Sequence, residues 1–93
     1  MNKQKIIKEN SQVIIEYGAT WCPPCRQMEP ILQSLKQEGI HVVQIDVDQY
    51  PQDAAENSIQ SIPTMFLYRD GILKETIVGA VSKRRLLDRL RSD

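Results

Sequence analysis

Val13-Ile14-Ile15-Glu16-Tyr17-Gly18-Ala19-Thr20-Trp21-Cys22-Pro23-Pro24-Cys25 sets a strand and a reactive pair side by side. Three consecutive apolar residues, Val13 to Ile15, make the run around Gln12 to Tyr17 read as a strand buried on both faces, the habit of an open α/β sheet. Directly after it come the only two cysteines of the chain, Cys22 and Cys25, with two residues between them and helix-forming sequence beyond. That spacing sets Cys22 at a helix N-terminus and Cys25 one turn inside. The leading sulfur then feels the positive end of the helix dipole and unpaired backbone N–H groups, which favour thiolate over thiol. The second sulfur is placed to resolve a mixed disulfide formed by the first.

Pro23 and Pro24 take the first two helical positions, where a fixed φ suits a helix start but neither residue donates an N–H. A thiolate on Cys22 is therefore expected to rest on the N–H groups of Cys25 and Arg26. A bare C-x-x-C also occurs in zinc sites, which need about four Cys or His ligands. Beyond Cys22 and Cys25 the chain offers only His41, so a metal could be closed only between two chains. Redox chemistry is the reading that the context favours over inert structural thiols or a shared metal.

Outward from this stretch the chain reads as one run of short elements. Met28, Ile31, Leu32 and Leu35 recur at helical spacing after Pro23, with Gly39 as the expected stop and Pro30 as a kink within. Residues 41 to 47 (HVVQIDV) read as a second strand, and strand–helix–strand order implies a parallel pair. Pro51 opens a short helix through Ala54 and Ala55. Thr64 to Tyr68 and Ile72 to Val78 form antiparallel strands about the turn Asp70-Gly71. Ser82 caps a last helix to Arg91, with Val81 and Leu86 as a hydrophobic staple and Leu86, Leu87 and Leu90 as its buried stripe. The class is α/β, and residues 1–93 are expected to form a single domain.

Lys plus Arg equals Asp plus Glu at 12 each, so net charge gives no reason to expect nucleic acid or an anionic membrane as partner. No apolar run approaches a membrane span, and the basic opening Met1 to Lys8 lacks the apolar middle of a signal peptide. A cytoplasmic home follows as the simplest expectation, and there a lone C-x-x-C is catalytic more often than structural.

Val13 to Cys25, Ser61-Ile62-Pro63-Thr64 and Ile77-Val78-Gly79-Ala80 together resemble the thioredoxin family, with similar spacing from about Val13 to Leu90. The resemblance implies a thioredoxin-like fold: a mixed sheet of about four strands with helices on both faces. In it the strand before Trp21 lies between those at 41–47 and 64–68. The family usually has a further strand and helix in front. Residues 1–11 are too few for both, so the first unit is expected to be truncated or reduced to one short helix, leaving the edge beside 41–47 less covered.

The resemblance also assigns roles. It makes Pro63 cis and turned to the cysteines, with Ile62, Pro63 and Gly79 binding the substrate chain and the Ile62 backbone pairing with it. Glu16 becomes the proton acceptor for Cys25, although the family commonly has Asp there and many members have Lys where Gln44 stands. The implied activity is thiol–disulfide oxidoreduction on protein disulfides through a Cys22–Cys25 redox-active disulfide. No bound cofactor is expected; a thioredoxin-reductase-like or glutathione-type donor recycles the pair. The less covered edge beside 41–47 offers a dimer or a docked partner as the alternative to the expected monomer.

Each supporting residue also has a plainer reading. Pro63 can be edge punctuation before a strand, and Glu16 a strand-end acid that reaches water. Trp21 is expected both to pack and to form a flat wall beside the thiols. His41 opens a strand far from the motif and reads as surface. Lys83, Arg84, Arg85, Arg89 and Arg91 read as the solvated face of the last helix, or as a weak patch for an acidic partner. The competing function is a non-catalytic module that docks peptides in the groove around Pro63.

Overall fold

The computed structural model describes residues 2–92; Met1 and Asp93, the ends of the expected 1–93 domain and of the basic opening, lie outside the described residues. Asn2 caps a short helix, α1 (Lys3–Glu9), by accepting the Lys5 N–H at 3.1 Å. Among the described residues α1 alone precedes the first strand, β1 (Gln12–Gly18), in line with the expectation of one short helix. Every residue of β1 after Gln12 is buried, which matches its apolar run.

From β1 the chain enters α2 (Pro23–Gln37) and returns as β2 (His41–Asp46), parallel to β1. α2 runs unbroken through Pro30. It ends in a Schellman turn: Gly39, at φ +92°, gives its N–H to Lys36, and the Ile40 N–H bonds to the Leu35 carbonyl at 3.1 Å. Glycine suits that positive φ because it carries no Cβ. β2 stops one residue short of expectation, yet the Val47 N–H still reaches the Gly18 carbonyl at 2.9 Å.

After α3 (Pro51–Glu56) come β3 (Thr64–Arg69) and β4 (Ile72–Val78), then α4 (Lys83–Arg91). Asp70 and Gly71 both have positive φ, the backbone of a type I′ hairpin turn. The sheet order is β2-β1-β3-β4, with β1 in the middle as expected and β2 at one edge. Ser82 accepts the Arg85 N–H at 3.1 Å, and Val81 and Leu86 belong to the same core cluster.

Two apolar layers flank the sheet because β1 alternates its side chains between them. Ile14 packs with Met28, Leu32, Leu35, Leu86 and Leu90 under α2 and α4. Val13, Ile15 and Tyr17 pack with Ile7, Ile45 and Ala54 under α1 and α3. Burying each such large apolar side chain contributes about 1.5–3 kcal/mol. Glu16 falls on the Ile14 side of this alternation, facing α2, and the C-terminal end of β1 delivers the chain to the cysteines.

Candidate active site

Cys22 is the N-cap of α2, with extended backbone at φ −90° and ψ 111°. Its Sγ accepts the Cys25 N–H at 3.2 Å, and the two sulfurs are joined in a disulfide with Cα atoms 5.2 Å apart. The second donor expected from the sequence is not available. Arg26 gives its N–H to the Cys22 carbonyl at 3.1 Å, the first regular bond of the helix, so Cys25 alone serves the sulfur. Pro23 and Pro24 lie exposed on the first turn.

The loop before β3 closes over this helix start. The Ile62–Pro63 bond is cis, and the Ile62 carbonyl oxygen lies 3.8 Å from Cys22 Sγ. Gly79, at φ +96°, donates its N–H to the Pro63 carbonyl at 2.8 Å, which ties its backbone to the loop that carries Ile62. Ala19, Val47 and Ile62 pack around the cysteines, leaving Cys22 only 3% and Cys25 5% exposed. Thr64 locks the loop by donating its hydroxyl to the Ser61 carbonyl at 2.6 Å.

Glu16 is 3% exposed, so it is not a strand-end acid reaching water. A Cβ built on Gly18 would lie 3.2 Å from Cys25 Sγ and 3.5 Å from Glu16 Oε1, so carboxyl and sulfur face one another across this glycine. Any larger residue at position 18 would fill the gap between them. Glu16 Oε1 accepts from Gln44 Nε2 at 3.4 Å, while Oε2 is buried without a partner among the described residues. Burial pushes the Glu16 carboxyl up from its ordinary value; the Gln44 hydrogen bond pulls the other way, and the Glu29 charge adds to the rise. A cavity of about 370 Å³ opens beside it, lined among others by Gly18, Cys25, Arg26, Glu29, Gln44 and Asp46.

Comparison with known proteins fixes the family. The thioredoxin family model matches residues 2–92. The thioredoxin of Pyropia yezoensis is 38% identical over 91 residues, covering 95% of this chain and 85% of its own. The chain belongs to the thioredoxin family. In structure it is similar to oxidised mitochondrial thioredoxin 3 of Saccharomyces cerevisiae, with a TM-score of 0.81, 34% identity, and coverage of 98% of this chain and 87% of that one. A mutant thioredoxin from Halobacterium salinarum gives a TM-score of 0.85 at 31% identity, over 97% and 80% of the two chains. A thioredoxin that carries the Cys22–Cys25 pair is a thiol–disulfide oxidoreductase.

In this thioredoxin Trp21 does not pack as the sequence suggested. It is 64% exposed, with its indole N–H held by Asp48 Oδ2 at 2.6 Å. The indole is thus tethered at the surface, and Asp48, in the loop after β2, carries no local pattern that links it to position 21. His41 opens β2 opposite Val13, at the end of the sheet remote from Cys22. The basic residues of α4 are largely spent within the molecule. Lys83 pairs with Glu38 and Arg89 with Glu75, while Arg84 lies 4.0 Å from Asp88, which supports the solvated-face reading.

One polar cluster on the opposite face had no sequence signal. Tyr17 donates its hydroxyl to Asp53 Oδ1 at 2.6 Å, and Lys3 Nζ donates to both at 2.7 Å, tying α1 and α3 to β1. Burial would push the Asp53 carboxyl up, but the hydrogen bonds from Lys3 and Tyr17 outweigh it and hold the group below its ordinary value. Among the described residues no group of three or more His, Cys, Asp or Glu converges on a metal position, and no helix is long and apolar enough to cross a membrane.

Proposed function

We propose that this thioredoxin reduces disulfides of protein substrates, with Cys22 as the attacking and Cys25 as the resolving thiol. The observation that carries this reading is positional: Cys22 Sγ caps α2 and takes the Cys25 N–H, whereas Cys25 faces Glu16 across Gly18. In the reduced protein the Cys22 thiolate attacks one substrate sulfur, and the other leaves as a thiol after taking a proton. Glu16 then accepts the Cys25 proton, Cys25 attacks Cys22 Sγ, the mixed disulfide breaks, and the second substrate sulfur departs. Two electrons have passed to the substrate, and the protein is left in the Cys22–Cys25 disulfide state.

Substrate docks along Ile62, Pro63 and Gly79, where backbone rather than side chains would set the pairing, and Trp21 borders the groove. An external reductase of the thioredoxin-reductase type, or a glutathione-type donor, returns the pair to dithiol. A single domain acting as a cytoplasmic monomer is the setting most in keeping with balanced charge and a lone C-x-x-C. Catalysed reduction of insulin by dithiothreitol tests the activity, and a potential below that of the glutathione pool supports the reducing direction. A rate equal to the uncatalysed reaction would leave only the peptide-binding module.

A further inference from the structure

Gln44 stands on β2 directly opposite Glu16 of β1 and, among the described residues, is the carboxyl's one hydrogen-bond donor. The same nitrogen makes a second and much closer contact, to Glu29 Oε1 on the exposed side of α2. A primary amide has two N–H bonds, so it can donate to both acids, and the two contacts need not be equal. Here it sits close to Glu29 and only 3.4 Å from Glu16, whose Oε2 is buried without any partner. On its other side the amide oxygen accepts from Lys36 Nζ at 3.5 Å, so the amide is held from two directions by α2.

We infer that Glu29 and Gln44 are positioning residues for the resolving step: Glu29 draws the Gln44 amide away from Glu16, leaving the buried carboxyl a stronger proton acceptor for Cys25. A carboxylate deprived of donors holds its proton more firmly, and an acceptor whose basicity approaches that of a thiol takes the thiol's proton with less loss of driving force. Glu29 acts in the same direction a second time, because its own negative charge disfavours a second charge on Glu16. The other charged groups around the cleft are Arg26 of α2 and Asp46 at the end of β2. β3 places the apolar Met65 opposite Glu16, and α4 contributes no lining residue. Gln44 and Glu29 are both exposed and can be replaced without opening the core.

This inference rests on Glu16 as the acceptor for Cys25, and the experiment separates the two. Reduced protein is mixed with an aromatic disulfide in a stopped-flow instrument between about pH 5 and pH 9, spanning ordinary Glu and Cys values. The first equivalent of aromatic thiol reports attack by Cys22 and the second reports resolution by Cys25. The expected result is that Glu29→Gln and Gln44→Lys each move the midpoint of the second phase down by about one pH unit, while Gln44→Leu moves it up. Glu16→Gln should abolish that titration. A second phase whose midpoint is unmoved in Glu29→Gln and Gln44→Lys, but lost in Glu16→Gln, overturns the tuning role and leaves Glu16 in place. A wild-type profile in Glu16→Gln overturns both.

Discussion

Glu16→Gln should stabilise the protein at alkaline pH and leave its stability unchanged in acid. Glu16 is 3% exposed, its Oε2 has no partner and its Oε1 has one long hydrogen bond, so ionising it places a poorly solvated charge beside the core. An unsatisfied buried polar group costs about 1–3 kcal/mol. Glutamine keeps a polar atom at the same spot, so only the charge part of this cost is relieved, about 1 kcal/mol. For a domain of this size that corresponds to roughly 4–8 °C in Tm. The sign follows from the raised carboxyl. Below the unfolded-state value of 4.5 both states are protonated and a neutral Glu16 equals a neutral amide. As pH rises beyond it, the unfolded chain loses this proton before the folded one does, and wild-type stability falls until Glu16 ionises in the folded state as well. Thermal unfolding of the oxidised protein, followed by circular dichroism at about pH 3.5 and about pH 8, should give near-equal Tm values in acid and a higher one for Glu16→Gln at pH 8. The same Tm difference at both pH values, or a loss at pH 8, would refute the reasoning.

Cys22→Ser should abolish disulfide exchange, whereas Cys25→Ser should attack substrate and stay covalently joined to it, visible as a reducible adduct by mass spectrometry; normal turnover of Cys25→Ser would reverse the assigned roles. Pro24→Ala restores an N–H at the second helical position, where an N-cap side chain finds a further donor. If that bond contributes about 1.4 kcal/mol to the Cys22 thiolate, equilibration with glutathione should read a potential higher by about 30 mV, and no change would show that donor count does not set the nucleophile. Lys3→Met should lower stability by about 1 kcal/mol at pH 7. Asp53 is held below its ordinary value of 3.8, so the contribution is present above that pH and fades as pH falls through the lowered folded-state value. Urea unfolding with a pH-independent difference would count against the Lys3–Tyr17–Asp53 link.

Features carried by neighbouring residues are legible without any fold. The apolar run at Val13 to Ile15 marks a strand buried on both faces, Gly39 and Ser82 mark helix ends, and the C-x-x-C places a sulfur at a helix start, because each depends on backbone geometry within a few residues. Sequence reading errs where one group has a competitor. Arg26 reads as a donor to the sulfur, but its N–H closes the first helical bond. Trp21 reads as partly packed because large aromatic side chains usually are, yet Asp48, 27 residues away, holds it at the surface.

The α/β class, the central strand and the redox pair are written along the chain, since periodicity and a cap motif are local. What surrounds the sulfurs depends on the packing of segments far apart in sequence. Parallel register sets Gln44 against Glu16, the helix crossing brings Glu29 to the same amide, and the loop before β3 carries Ile62 to within 3.8 Å of a sulfur 40 residues earlier. Such contacts depend on the order and direction in which strands pair. A chain read in one dimension contains the partners but not the distances, and in this thioredoxin the distances decide which donors the buried acid has lost.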